Sequence, residues 1–192
     1  MVSRAANDGG TVPYSATNAT IETERLILRK PAPEDAATIG ALFGDADIMR
    51  FYGTGRTYTP SEIPEIMSKI ERHYEQFGYG VHVVTLKITG DPIGVGGLQH
   101  VGGWACVQIG GAFAKNSWKK GYAIEAGSAL LRYGLTTLGI ERIEANTPAT
   151  NAPAIAVARK LGMTYEGMTL HEGTEYARFA AHAEILKGPS PS

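Results

Sequence analysis

The chain has 192 residues, with 18 Lys and Arg against 19 Asp and Glu and a net charge of −1. That length favours one domain with a sizeable core, and the charge balance supplies no general attraction for nucleic acid or an acidic membrane. Cys106 is the only cysteine, which excludes an intrachain disulfide and fits a reducing, cytoplasmic compartment.

Residues 1–20, MVSRAANDGGTVPYSATNAT, hold no apolar block of signal-peptide length and are expected to form a flexible arm. No stretch approaches the roughly 20 apolar residues of a membrane helix. TERLILRKP alternates Leu26 and Leu28 with charged neighbours, a strand closed by Pro31. PEDAATIGALF predicts a helix with Glu34 and Asp35 in its first turn and Gly44 at its end. A second helix is expected over 61–76, opened by Thr59, Pro60 and Glu62 in a Thr-x-x-Glu start. Pro64 would remove an interior backbone bond, so regular helix is expected only from about Ile63.

From Tyr79 the period becomes two. YGVHVVTLKI and PIGVGGL, joined by TGD, predict a hairpin, and VGGW turns the chain into a third strand, ACVQIGGAFA. Its Gly110-Gly111 pair predicts a bulge or the close approach of another backbone or a ligand. YAIEAGSALLRYGLTTLG is a helix with Gly127, Leu131, Gly134 and Leu138 on one face and Gly139 as its stop. IERIEANTPA is the next strand and NAPAIAVARKLG a short helix ending at Gly162; MTYEGMTLHEG and YARFAAHAEIL are the last strands. The expectation is a single α+β domain over 21–187, with a mixed, mostly antiparallel sheet, about four helices and a flexible tail at 188–192.

The most informative unit is VQIGGAFAKNSWKKGYAIEA, where a strand runs through a tight loop into a helix. Successive amides opening a helix form an anion site, and Lys119 and Lys120 add charge there. Gly121 admits a bulky phosphate. Two lysines before a helix are equally ordinary as solvated surface.

WKKGYAIEA, followed by LGIERIEANTPATNAPAIAVARKLGM, resembles the acetyl-CoA-binding core of the GCN5-related N-acetyltransferases, closest to the branch that acetylates ribosomal-protein N-termini. The resemblance runs from about Thr23 to Leu186. The family's loop pattern is Gln/Arg-x-x-Gly-x-Gly/Ala, and Trp118, Gly121 and Ala123 hold its three defining places. It implies that amides of the loop Trp118, Lys119, Lys120, Gly121, Tyr122 and Ala123 bind the coenzyme A pyrophosphate. It also implies that backbone around Gly111 and Phe113 faces the thioester and pantetheine, and that Asn151 meets the pantetheine where two parallel strands splay apart. Such a splay offers unpaired strand amides and carbonyls to a peptide-like ligand, and an amide near Gly111 is placed to stabilise a developing oxyanion.

Three departures bear on chemistry. Gln108 stands where the branch commonly has a Glu able to draw a proton through water, and Gln accepts no proton near neutral pH. Ala158 replaces a general-acid Tyr, and Ala154 a frequent Ser. Among the substitutes His100, His82, Tyr165 and His171, His100 is the chosen base, although a lone histidine is more often structural. Cys106 has no obvious activating base, Glu125 suits a helix start, and Arg159 either reaches the 3′-phosphate or is surface charge.

The implied function is acetyl transfer from acetyl-CoA to a primary amine, on a protein N-terminus or a small molecule, by direct attack without a metal. The alternative is an acyl-CoA-binding module that has lost catalysis. The acceptor is expected between the second helix and the last strands, with 51–58 and 171–178 as walls. No phosphate-binding Gly-x-x-x-x-Gly-Lys-Ser/Thr loop, metal-ligand spacing or nucleic-acid motif occurs, and a homodimer stays open.

Overall fold

A computed structural model describes residues 20–52 and 55–183. The expected arm at 1–20, apart from Thr20, and the tail at 188–192 lie outside the described residues, as does the end of the expected domain at 184–187.

Leu26 and Leu28 are fully buried and alternate with half-exposed Ile27 and Arg29, which makes Leu26–Arg29 a strand, β2. A two-residue strand, β1 (Ile21–Glu22), pairs against it. Arg29 then holds Asp35 bidentately at 2.7 and 2.8 Å, pinning the strand to the start of α1 (Ala36–Phe43). A four-residue helix, α2 (Ala46–Met49), follows, its first amides capped by Asp45. The Thr59–Glu62 capping box forms on a 3₁₀ turn, and α3 (Ile63–Phe77) begins at Ile63 as expected. Pro64 causes no conflict, because it falls in the first turn, where an amide has no intrahelical partner.

The hairpin is β3 (Val81–Leu86) and β4 (Pro92–Gln99), and the third strand is β5 (Val107–Phe113). After α4 (Tyr122–Arg132) the helix relaxes into a π turn over Tyr133–Thr137 rather than continuing regularly. Its small face works as predicted: a Cβ on Gly127 would lie 2.9 Å from Leu161, and one on Gly134 2.6 Å from Ile143 and Leu98. Then come β6 (Arg142–Pro148), α5 (Ala152–Lys160), β7 (Thr164–His171) and β8 (Thr174–His182).

All eight strands form one sheet in the order β1-β2-β3-β4-β5-β6-β8-β7, antiparallel except for β5 and β6. This is the expected α+β class, with five α-helices among the described residues because α2 is too short to show a period. One face carries Val83, Val95 and Ala112 against Ile39, Phe43 and Ile63 of α1 and α3. The other carries Leu98, Val107 and Ile143 against Leu131 and Leu138 near α4. The functional geometry arises between β5 and β6. They pair only at Val107–Ile143 and Gln108–Glu144, and then part, although β5 runs on to Phe113 and β6 to Pro148.

Candidate active site

Two features meet where β5 and β6 part. One is the loop that leaves β5 for α4. Gly121 caps α4 with φ 85°, a left-handed conformation that a side chain would strain, and Lys119 also has positive φ at 61°. Within this loop the Trp118 amide is used by Lys115 at 3.2 Å. The amides of Lys119, Lys120, Gly121, Tyr122 and Ala123 donate to no carbonyl among the described residues. The first intrahelical donors are Ile124 and Glu125, both to the Gly121 carbonyl at 3.1 Å. Lys119 and Lys120 are exposed and form no ion pair among the described residues.

The loop is braced from outside its own sequence. Arg25 donates to Glu125 at 2.7 Å and to the Lys120 carbonyl at 3.1 Å, and its guanidinium lies 4.6 Å from the Tyr122 ring centre. Glu125 also accepts from Thr23 Oγ1 at 2.6 Å and the Arg25 amide at 2.8 Å. Burial raises the Glu125 pKa, but these donors outweigh it and hold the carboxylate below its usual range. Trp118 ties the loop to the strand end, donating from Nε1 to the Phe113 carbonyl at 2.7 Å.

The second feature is an open trough on the α1–α3 face of the sheet. Gly97 and Gly110 are paired there, two residues along from Val95 and Ala112. A Cβ on Gly110 would meet nothing within 4 Å, whereas one on Gly111 would lie 2.8 Å from the Val95 carbonyl oxygen. The β4–β5 register is unbroken from Gly94 to Gln99, so the glycine pair marks close approach and open space; the expected bulge is absent. Gln99 and Gln108, also paired, lie two residues further on the same face.

Gln108 is buried, and its Nε2 is 3.1 Å from the Cys106 carbonyl and 3.4 Å from Glu144 Oε2. Glu144 is thus a carboxylate at this point that no motif in the chain singles out. Burial opposes its charge, but hydrogen bonds from Asn146, Arg142 and Gln108 prevail and take its pKa to about 2. It is therefore a poor base and a strong organiser. The Asn146 Oδ1 beside it is buried without a partner among the described residues.

His100 follows β4 beside a cavity of about 280 Å³ under α1 and α3, which Tyr52, Tyr58 and Gln99 also line. Its Nε2 lies 2.9 Å from the Tyr79 hydroxyl, its ring stacks on Phe77, and burial lowers its pKa. A larger cavity, about 590 Å³, lies behind α4 against β1, away from the trough. Asn151 caps α5 by accepting from the Ala154 amide at 3.2 Å, so its carbonyl oxygen already has a structural use. His82 is buried, Tyr165 is half-exposed on the edge strand β7, and His171 packs on Trp104. Burial, then Glu144, push the Cys106 thiol pKa up, against a nucleophilic role. Ala158 is sealed in the core.

The family model described as an acetyltransferase (GNAT) domain matches residues 25–164, and the chain belongs to that family. YkkB of Bacillus subtilis (strain 168), an uncharacterised protein, is 32% identical over 146 residues, which cover 74% of this chain and 84% of YkkB. Among solved structures, a GNAT-family acetyltransferase from Bacillus anthracis superposes with a TM-score of 0.75 at 25% identity, covering 86% of this chain and 99% of its own. A spermidine N-acetyltransferase from Vibrio cholerae, solved with CoA and spermine, shares the fold with a TM-score of 0.73 at 20% identity, over 85% of this chain and 99% of its own. Among the described residues no helix is long and apolar enough to cross a membrane.

Proposed function

We propose that this chain is an acetyl-CoA-dependent N-acetyltransferase that passes the acetyl group to a primary amine held with the donor in one ternary complex. The observation that carries this reading is the run of amides from Lys119 to Ala123, without partners among the described residues, at a helix start beside the parting of β5 and β6. An anion of pyrophosphate size suits that set, because amides and the helix dipole both favour negative charge there. Lys119 and Lys120 add long-range attraction.

When bound, acetyl-CoA supplies an activated thioester whose C–S bond breaks as the amine forms the new C–N bond. The chain's task is then to orient and to handle a proton. Backbone of β5 around Gly111, together with the Phe113 amide, receives the pantetheine arm while the Phe113 carbonyl holds Trp118, and the Gly111 amide serves the developing negative charge on the thioester oxygen. Asn151 lines the far side through its remaining amide group. Gln108, with no protonatable atom, orients the acceptor or a water.

His100 takes the amine proton. It lies three residues beyond Gly97, about 10 Å along the strand, so it acts through intervening water. Its lowered pKa keeps it neutral and proton-accepting near pH 7. The folded unit is taken as residues 21–187, in a cytoplasmic setting that suits a free Cys106.

A second reading, a binding module without turnover, draws on two observations: Ala158 is sealed in the core, and Gln108 is engaged by Glu144. Incubation with acetyl-CoA and a broad amine panel, with released thiol and acetylated product both measured, separates the two. Product formation with equal thiol release supports the transferase. A thermal shift by acetyl-CoA without product supports the module.

A further inference from the structure

We infer, on the basis of the transferase reading above, that the cavity under α1 and α3 binds the body of the acceptor, and that this body is a single apolar or aromatic group beside the primary amine, rather than a polycation. The position follows from the register. Gln99 lines the cavity and stands two residues, roughly 7 Å, from Gly97 and its partner Gly110 on the same face. A group seated in the cavity can therefore extend its amine into the trough over Gly110.

The chemistry follows from the lining. Phe43, Met49 and Val81 are buried at its floor, and Tyr52, Tyr58 and Ile66 form half-buried walls. Tyr52 and Tyr58 are packed against Phe43, with ring centres 5.4 and 6.0 Å apart. A volume of about 280 Å³ accommodates one aryl or branched alkyl group and sits at the small end of ligand pockets.

The charge distribution excludes the other acceptor class. No carboxylate lines the cavity among the described residues, and the exposed ammonium of Lys69 stands at its edge. His73 is held neutral: its Nε2 accepts from the His100 amide at 3.0 Å, and its Nδ1 lies 2.8 Å from the Tyr79 carbonyl oxygen. The nearest sheet carboxylate, Glu144, is already committed to Arg142, Asn146 and Arg178. A polyamine or aminoglycoside would bring several positive charges to a site with no negative charge to receive them.

The test measures kcat/KM with acetyl-CoA for phenethylamine, for peptides starting with Phe or Leu, for spermidine and for an aminoglycoside, with acetyl-CoA affinity measured alongside by calorimetry. The expected result is that phenethylamine or the apolar peptides exceed both polycations at least about tenfold, the effect of burying one such group. Which of those two arms is faster tells a small-molecule acceptor from a protein N-terminus. The exposed Lys69→Glu change is expected to raise the ratio of the spermidine value to the phenethylamine value about fivefold. Polycations matching the apolar amines, or turnover of polycations without turnover of apolar amines, would overturn the inference alone, whereas acetyl-CoA binding with turnover of no amine would overturn the transferase reading too. Failure to bind acetyl-CoA would overturn the transferase reading and this inference with it.

Discussion

Arg25, in the lead-in to β2, and Glu125, in the first turn of α4, form a salt bridge at 2.6 Å that also reaches the Lys120 carbonyl. The pair fastens the Trp118–Ala123 loop to the sheet from a hundred residues away in sequence. Glu125→Ala leaves the Thr23 hydroxyl, the Arg25 amide and the guanidinium without their acceptor. Arg25 is 44% exposed, so the loss is moderate, about 1–2 kcal/mol, and lowers Tm by a few degrees. Acetyl-CoA affinity is expected to fall at least about fivefold, because the loop amides lose their fixed aim. Calorimetry with a parallel melting curve checks both.

Gly110 and Gly97 face each other but should respond differently to alanine. Gly110→Ala meets nothing within 4 Å and keeps the fold, with Tm unchanged within about 2 °C. It nevertheless fills the trough and is expected to lower kcat/KM at least about tenfold. Gly97→Ala places a Cβ 2.3 Å from the Gly80 carbonyl oxygen and is expected to abolish soluble expression or to cost several degrees of Tm.

Gln108→Glu replaces a donor to Glu144 with a second carboxylate at the same place, 3.4 Å away. Two such groups cannot both stay charged easily, so one pKa rises. The variant should melt below the wild type at pH 7.5 and recover part of the difference at pH 5, where one proton is shared. An equal deficit at both pH values would contradict this.

His82 sets an acid limit on stability. Burial pushes its pKa down to about 4, with a hydrogen bond to Gly80 offsetting only part, and Nδ1 has no partner among the described residues. The unfolded chain takes up a proton near pH 6.5 while the folded chain does not, so stability present above pH 6.5 is lost as pH falls towards 4. The slope reaches about 1.4 kcal/mol per pH unit. His82→Leu should lack this component, so its Tm declines less than that of the wild type between pH 6.5 and 5.

Much of this was legible in the chain itself. Alternation exposed the β3–β4 hairpin, the Thr59–Glu62 box located the start of α3, and the Gly127–Gly134 spacing foretold the face that packs on Leu161 and Ile143. Trp118, Gly121 and Ala123 led to the right family. The remainder depended on distance in sequence. Arg25 reaches Glu125 only after folding, and Glu144 becomes a buried, depressed carboxylate because Asn146 and Arg142 on its own strand and Gln108 on β5 converge on it. β1 and α2 are too short for any period to register. The Gly110-Gly111 pair misled as to a bulge, since glycine signals proximity without saying whether the register breaks.

The central claim is that amides between Lys119 and Ala123 bind the diphosphate of acetyl-CoA. Its most direct test is calorimetric titration of acetyl-CoA into the wild type and into Gly121→Val, whose side chain would stand in a left-handed turn 3.4 Å from Arg25. The account predicts saturable binding to the wild type and at least about a hundredfold loss in the variant, with Tm lower by only a few degrees. Equal affinity of the two proteins would contradict it.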